Sequence, residues 1–235
     1  MTASTESLGA ERIGARHEPS GDHPLLRPRD AAALIVIDRS ASPFRVLMGR
    51  RARQHIFMPD VYVFPGGKRD AADLRRPVTE DLPPEVMTRL TSRVGSGFST
   101  RHARALAVAA VRELREETGL IACVDGATGD HRLRPLRFIA RAITPPRQVR
   151  RYDTRFFAGF VDEIGAEPGR LADSDEMLDL RWVPLDETVD LKLPTITRSI
   201  LHEVRRELDH AEALPPGRPV PFFHVRRGRF IRDMI

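Results

Sequence analysis

Glu113, Glu116 and Glu117 stand close together in the run Arg112-Glu113-Leu114-Arg115-Glu116-Glu117-Thr118-Gly119-Leu120. On a helix of about 3.6 residues per turn, the spacings i, i+3 and i+4 share one face, so these carboxylates repel one another unless a metal ion or an arginine lies between them. Hard dications such as Mg²⁺ and Mn²⁺ take carboxylate oxygens and keep waters in their other positions, which leaves room for substrate phosphates. A solvated helix face laced with Glu/Arg pairs, Arg112 to Glu116 among them, is the competing account of the same residues.

Upstream, Val61-Tyr62-Val63-Phe64-Pro65-Gly66-Gly67 is a short β-type run ending in two glycines, where bare backbone can approach a ligand or ion without a Cβ in the way. Together the two segments resemble the Nudix hydrolases, whose signature is G-x5-E-x7-R-E-U-x-E-E-x-G-U, with U a bulky aliphatic residue. Residues 112–120 match every specified position, and Gly67 is the opening glycine. In an unbroken box the arginine follows the glycine by 14 positions; here the interval is 112 − 67 = 45, so 45 − 14 = 31 residues are inserted. Counting back from Arg112 puts Arg104 where the family has its first glutamate, so that glutamate reads as missing.

The resemblance implies a role for each position. Glu116 and Glu117 would be ligands of Mg²⁺ or Mn²⁺, with the Gly66 carbonyl facing the same ions. Glu113 would be a ligand or the base, and Arg112 would pin the glutamates through ion pairs. A further acid is expected from a loop near the later strands, and Ala172-Asp173-Ser174-Asp175-Glu176-Met177 offers Glu176, with Asp175 as its nearest competitor.

These residues need a scaffold. Residues 31–37 and 44–48 read as two strands joined by a turn, and residues 61–64 as a third. The insertion, at about 68–98, opens rich in Asp, Arg and Pro, carries a short helix after Pro83-Pro84, and is expected to fold over the mouth of the site. Ser99 or Thr100 caps a helix running to Thr118, closed by Gly119, with Leu106, Ala110, Val111 and Leu114 opposite the glutamates. Strands at about 136–143, 154–162 and 180–183, a helix over 195–211 and a β-like piece over 220–231 complete the order. Strands interleaved with two helices make an α/β fold, an α/β/α sandwich around a mixed sheet, which the Nudix resemblance also implies.

Length and composition set outer bounds. The chain has 235 residues, 41% of them hydrophobic, which favours one domain over 30–235 behind a loose N-terminal tail over 1–29. One cysteine, Cys123, excludes an internal disulfide framework and fits a reducing cytoplasm. No stretch is apolar for the ~18 residues a membrane span needs, and the first thirty residues lack the apolar core of a secretory signal. A net charge of +5 suits a polyanionic small-molecule nucleotide better than it argues for nucleic acid, and a homodimer is compatible with it.

For substrate, Leu47-Met48-Gly49-Arg50-Arg51-Ala52 is similar to a coenzyme A signature of some Nudix enzymes, L-(L/F)-T-x-R-(S/A), with Gly49 in place of threonine. The split box, the run up to Pro-Gly-Gly and residues 143–157 resemble the peroxisomal-type coenzyme A diphosphatase branch. The expected reaction is hydrolysis of coenzyme A or an acyl ester to 3′,5′-ADP and 4′-phosphopantetheine. Arg51, Arg147, Arg150, Arg151 and Arg155 are the arginines that could meet its phosphates. The alternatives are a diphosphatase for ADP-ribose, sugar nucleotides or other nucleotides, and a non-catalytic module of the same fold that binds a nucleotide or nucleic acid.

Overall fold

Leu34, Ile35, Val36 and Ile37 are all fully buried, and a strand apolar on both faces belongs at the centre of a sheet covered on both sides. In a computed structural model, which describes residues 15–16, 23–54, 58–211 and 213–235, that strand is β1 (Arg29–Asp38). It runs parallel to β8 (Tyr152–Phe160) over nine registered pairs. Its other edge is shared between β2 (Arg45–Arg51) and β4 (Gly66–Lys68), both antiparallel. Beyond β2 lie β3 (Tyr62–Val63) and β9 (Met177–Pro184). Beyond β8 lie β7 (Arg137–Ile143), β10 (Pro221–Arg226) and β11 (Arg229–Met234). A separate two-stranded ladder joins β5 (Val78–Glu80) to β6 (His131–Arg132).

Helices cover both faces. In chain order they are α1 (Pro84–Leu90), α2 (Thr100–Thr118), the single turn α3 (Val161–Ile164) and α4 (Thr195–Ala211). α2 packs on one face with Ala103, Ala107, Ala110 and Leu114 buried, and its small side chains let the helix sit close to β1 and β4. α4 packs on the other through Ile200, Leu201, Val204 and Leu208. The expected sandwich is therefore present. Among the described residues, no helix is long and apolar enough to cross a membrane.

The limits of α2 follow from its caps. The Ser99 amide donates to His102 Nδ1 at 3.2 Å, and Gly119, at φ 74°, closes the last turn in the left-handed region that glycine enters without strain. Two expectations are corrected. The terminal β piece is a hairpin, because Arg227 and Gly228 both take positive φ and turn the chain in two residues. The strand ending near 162 stops at Phe160, where α3 begins. Where it is described, the N-terminal segment makes a few contacts: Arg16 bridges to Arg229, Leu26 accepts a hydrogen bond from Arg151, and Arg29 opens β1. Residues 1–14 and 17–22 of that expected tail lie outside the described residues.

The insertion also differs from expectation. Its Leu82, Val86 and Leu90 are core residues at 5%, 0% and 1% exposure, packed in the same cluster as α2. Arg89 donates to the Gly217 carbonyl at 2.8 Å, Arg93 pairs with Asp233 at 2.7 Å, and the Arg155 guanidinium lies 5.2 Å from the Phe98 ring centre. Side chains this deeply buried make the segment part of the scaffold. Leu90→Ala is expected to cost about 2–5 kcal/mol in a denaturant titration. A loss below ~1 kcal/mol would mean that the segment is peripheral.

Candidate functional site

Two glycines allow strand and helix to meet. A Cβ on Gly66 would sit 2.5 Å from the Ala32 carbonyl oxygen, and one on Gly67 would sit 2.5 Å from the Glu113 carboxyl carbon. With both hydrogens in place, β4 pairs with β1 on one side while the Gly66 amide donates to Glu117 Oε2 at 2.7 Å on the other. The two halves of the split box are thus joined directly, across 51 residues of sequence.

Arg112 organises the helix side. Its guanidinium donates to Glu113 Oε1 at 2.9 Å, Glu116 Oε2 at 2.8 Å, the Lys68 carbonyl at 3.0 Å, and both Asp73 oxygens at 3.0 and 3.2 Å. Burial works against its charge, but Asp73 and Glu113 outweigh that and hold its pKa above the ordinary arginine value. Asp73 itself has a fully buried side chain and also accepts from the Asp70 amide at 2.7 Å.

Asp73 answers the expectation of a missing acid. It follows Gly67 by six positions, the spacing of the signature's glutamate, so the box is intact through that position with aspartate in place of glutamate. The 31 extra residues fall after it. Arg104, where counting back from Arg112 had placed the gap, instead pairs with Asp81 on the insertion, its Nε at 3.2 Å.

Electrostatics single out Glu117. It is 4% exposed, and burial, reinforced by Glu113 and Glu176, pushes its pKa up to about 8 against the opposing pull of the Gly66 amide and Arg51. Burial likewise raises Glu113, with Arg112 opposing and Glu116 and Glu176 adding to the rise. Glu176 comes to this cluster because its carbonyl accepts from the Ala52 amide at 3.1 Å, where β9 meets the end of β2. Asp175, its competitor, contributes a backbone carbonyl to Gln54. Arg51 reaches the site as well, with Nη2 3.5 Å from the Gly66 carbonyl oxygen.

Among the described residues, no three acids, histidines or cysteines are already disposed as a metal cage. The donor set nevertheless suits a hard dication. All its atoms are oxygens, and the pKa of Glu117 is displaced in the direction that an added positive charge would reverse.

A family model described as the NUDIX domain matches residues 97–204. Over those residues the chain is similar to that domain. The structure of a NUDIX hydrolase from Alicyclobacillus acidocaldarius superposes with a TM-score of 0.60 at 26% identity, covering 83% of this chain and all of that one. A Nudix hydrolase from M. smegmatis, RenU, covers 80% of this chain and 89% of its own at 17% identity and TM-score 0.47. The NUDIX domain of Shewanella oneidensis NrtR, solved with ADP ribose, covers 88% and 99% at 12% identity and TM-score 0.49. No curated protein matches the chain.

The expected substrate arginines separate in the structure. Arg155 is 1% exposed, with Nη1 3.1 Å from Asp30 and 3.0 Å from Asp153, so it braces β8 against β1 and presents no face to a phosphate. Arg151 donates to the Thr144 and Leu26 carbonyls at 3.0 and 2.6 Å. Arg150 is exposed and lines a cavity with Arg151 and Lys68, while Arg147 sits in the preceding turn at φ 60°. Gly49 is glycine for a packing reason: a Cβ there would lie 2.5 Å from Met177 Sδ and 2.8 Å from Leu180. The threonine of the coenzyme A signature would therefore require the Met177 and Leu180 side chains to move aside.

Cys123 is 2% exposed, and burial pushes its thiol up to about 12. It is expected to resist a disulfide reagent at pH 8 in the native protein and to react fully in denaturant, as read by thionitrobenzoate release. Rapid native reaction would contradict a buried structural role.

Proposed function

We propose that this chain hydrolyses the pyrophosphate bond of a nucleoside diphosphate linked to another moiety, with coenzyme A or its acyl esters as the leading substrate. The observation that carries the reading is the buried Glu117, fixed by the Gly66 amide and crowded by Glu113 and Glu176, a set of like charges that makes sense around a cation. Glu113, Glu116, Glu117 and the Gly66 carbonyl would hold Mg²⁺ or Mn²⁺. Such ions neutralise pyrophosphate oxygens and acidify a bound water.

The chain supplies the remaining functions. Arg112 fixes Glu113 and Glu116, and Asp73 fixes Arg112. Glu176 would accept the proton of the attacking water, whose oxygen bonds to phosphorus while the bridging P–O bond breaks and its electron pair leaves with the departing phosphate. Arg51, beside Gly66, would meet a phosphate oxygen, and Arg150 and Arg151 would meet phosphate further out. The coenzyme A preference is supported by Arg51-Ala52 at their signature positions, and Gly49 speaks against it.

The test is a phosphate-release screen of coenzyme A, ADP-ribose, dinucleoside polyphosphates, sugar nucleotides and capped RNA, with Mg²⁺, with Mn²⁺ and with chelator. Metal-dependent cleavage led by coenzyme A is expected. Faster cleavage of ADP-ribose or a sugar nucleotide would move the substrate to that class, and no cleavage of any would favour a binding module.

A further inference from the structure

β9 does not run straight past β2. Met48 faces Arg181 and Arg50 faces Leu178, so Gly49 alone is opposed by both Asp179 and Leu180, an antiparallel β-bulge. Asp179 takes φ 52° there, in the left-handed region that aspartate enters more readily than most residues. The amides of both bulged residues turn to one carboxylate: Asp179 donates to Asp173 Oδ2 at 2.9 Å and Leu180 to Asp173 Oδ1 at 3.1 Å. An ionised acceptor that takes two amides, one on each oxygen, holds them more firmly than a neutral one. The bulge is thereby locked from within the loop that leads into it.

That loop carries Glu176. Inside the Asp173 clamp a tighter turn closes, where the Ser174 amide donates to the Met177 carbonyl at 2.9 Å and the Met177 amide to Ser174 Oγ at 3.1 Å, with Asp175 and Glu176 at the tip. Three elements of the site hold the loop. The Ala172 amide donates to the Thr118 carbonyl at 2.9 Å, one residue beyond Glu117, and the Ala52 amide, next to Arg51, donates to the Glu176 carbonyl. The Asp179 carboxylate accepts from the Tyr62 hydroxyl, on the strand that leads to Gly66. Met177 alone is buried within 172–177, close against Gly49, and this fixes one point of the turn. One point leaves the tip free to pivot. Asp173 supplies a second, from an exposed position where core packing does not hold it.

We propose that Asp173 is a positioning residue, whose carboxylate locks the β9 bulge and so sets where Glu176 stands relative to the glutamates of α2. For its effect on turnover the proposal rests on the hydrolase reading above. Glu176 is exposed and borne on a loop, and a proton acceptor misplaced by about 1 Å can lose on the order of a hundredfold in rate.

The test is amide hydrogen exchange on the full chain in chelator, beside turnover with Mg²⁺ on the best substrate of the screen. In Asp173→Ala the Ala52 amide, which reads the loop tip through the Glu176 carbonyl, is expected to exchange at least ~10-fold faster than in the wild type, while the Gly66 amide keeps its rate. Asp173→Asn, with one acceptor oxygen left, should fall between, and it carries the comparison if Asp173→Ala is poorly folded. In Asp173→Ala kcat should drop about ten- to a hundredfold with KM little changed. The same change made in Glu176→Gln should cost less than about twofold, because the residue it acts through is already gone. An Ala52 amide that keeps its wild-type rate in the variants, or an equal loss of kcat in both backgrounds, would overturn the proposal. No cleavage of any substrate in the screen, with the Ala52 amide released as expected, would defeat the hydrolase reading and leave the positioning role standing.

Discussion

Glu117→Gln is expected to lower kcat at least ~10²-fold and, in chelator at alkaline pH, to make the protein more stable than the wild type. Both effects come from the same buried charge. Glutamine keeps an oxygen for the Gly66 amide and removes the repulsion from Glu113 and Glu176. A carboxyl whose pKa rises from about 4.5 in the unfolded chain to about 8 in the folded one binds more protons when folded. The wild type should therefore be most stable below pH ~4.5 with respect to this group and lose stability as pH climbs through 8, by an amount on the order of a few kcal/mol. Chemical denaturation in chelator at pH 5 and pH 9, beside the variant, measures it. Near wild-type turnover in the variant would sink the active-site assignment. A wild type that held its stability relative to the variant across that range would remove the electrostatic one.

Asp73→Ala is expected to cost about 3–5 kcal/mol, because it strands the mostly buried Arg112 guanidinium without its best partner. Turnover should fall as well, since Arg112 then no longer fixes Glu113 and Glu116. Arg104→Glu, which inserts the glutamate at the position counted back from Arg112, is the informative contrast. It should rescue nothing in the Asp73→Ala background, because position 104 faces Asp81 and not Arg112. Denaturation midpoints of the two single variants and the double separate these outcomes. A loss below ~1 kcal/mol for Asp73→Ala would mean that Arg112 is held by the glutamates alone.

What could be read from the chain was what its local chemistry announces. The helix over 195–211 and the limits of α2 follow from apolar periodicity, Ser99 and Gly119, all short-range signals. The three glutamates and the two glycines were visible for the same reason. Asp73 was missed because counting back from the arginine assumed that the insertion preceded the acid; counting forward from Gly67 finds it. Arg155 could not be told from its neighbours, since of its partners only Asp153 is local while Asp30 lies 125 positions away, and burial of a strand arginine leaves no local mark. The insertion misled because Leu82, Val86 and Leu90 are sparse in a polar stretch, and only the packing under α2 shows that they complete the core.

The break between Asp73 and Arg112 changes how the site comes into being during folding. An unbroken box closes a loop of 14 residues, whereas this one closes 45, and the logarithmic growth of closure entropy makes that roughly 1 kcal/mol more costly. The intervening chain offsets this by burying Leu82, Val86 and Leu90 on the way. Pairing of Gly66 with Glu117 is therefore a contact of high sequence separation, and the acids are expected to gather late on the folding path. Hydrogen exchange at the Gly66 amide should consequently report global unfolding and not local fraying.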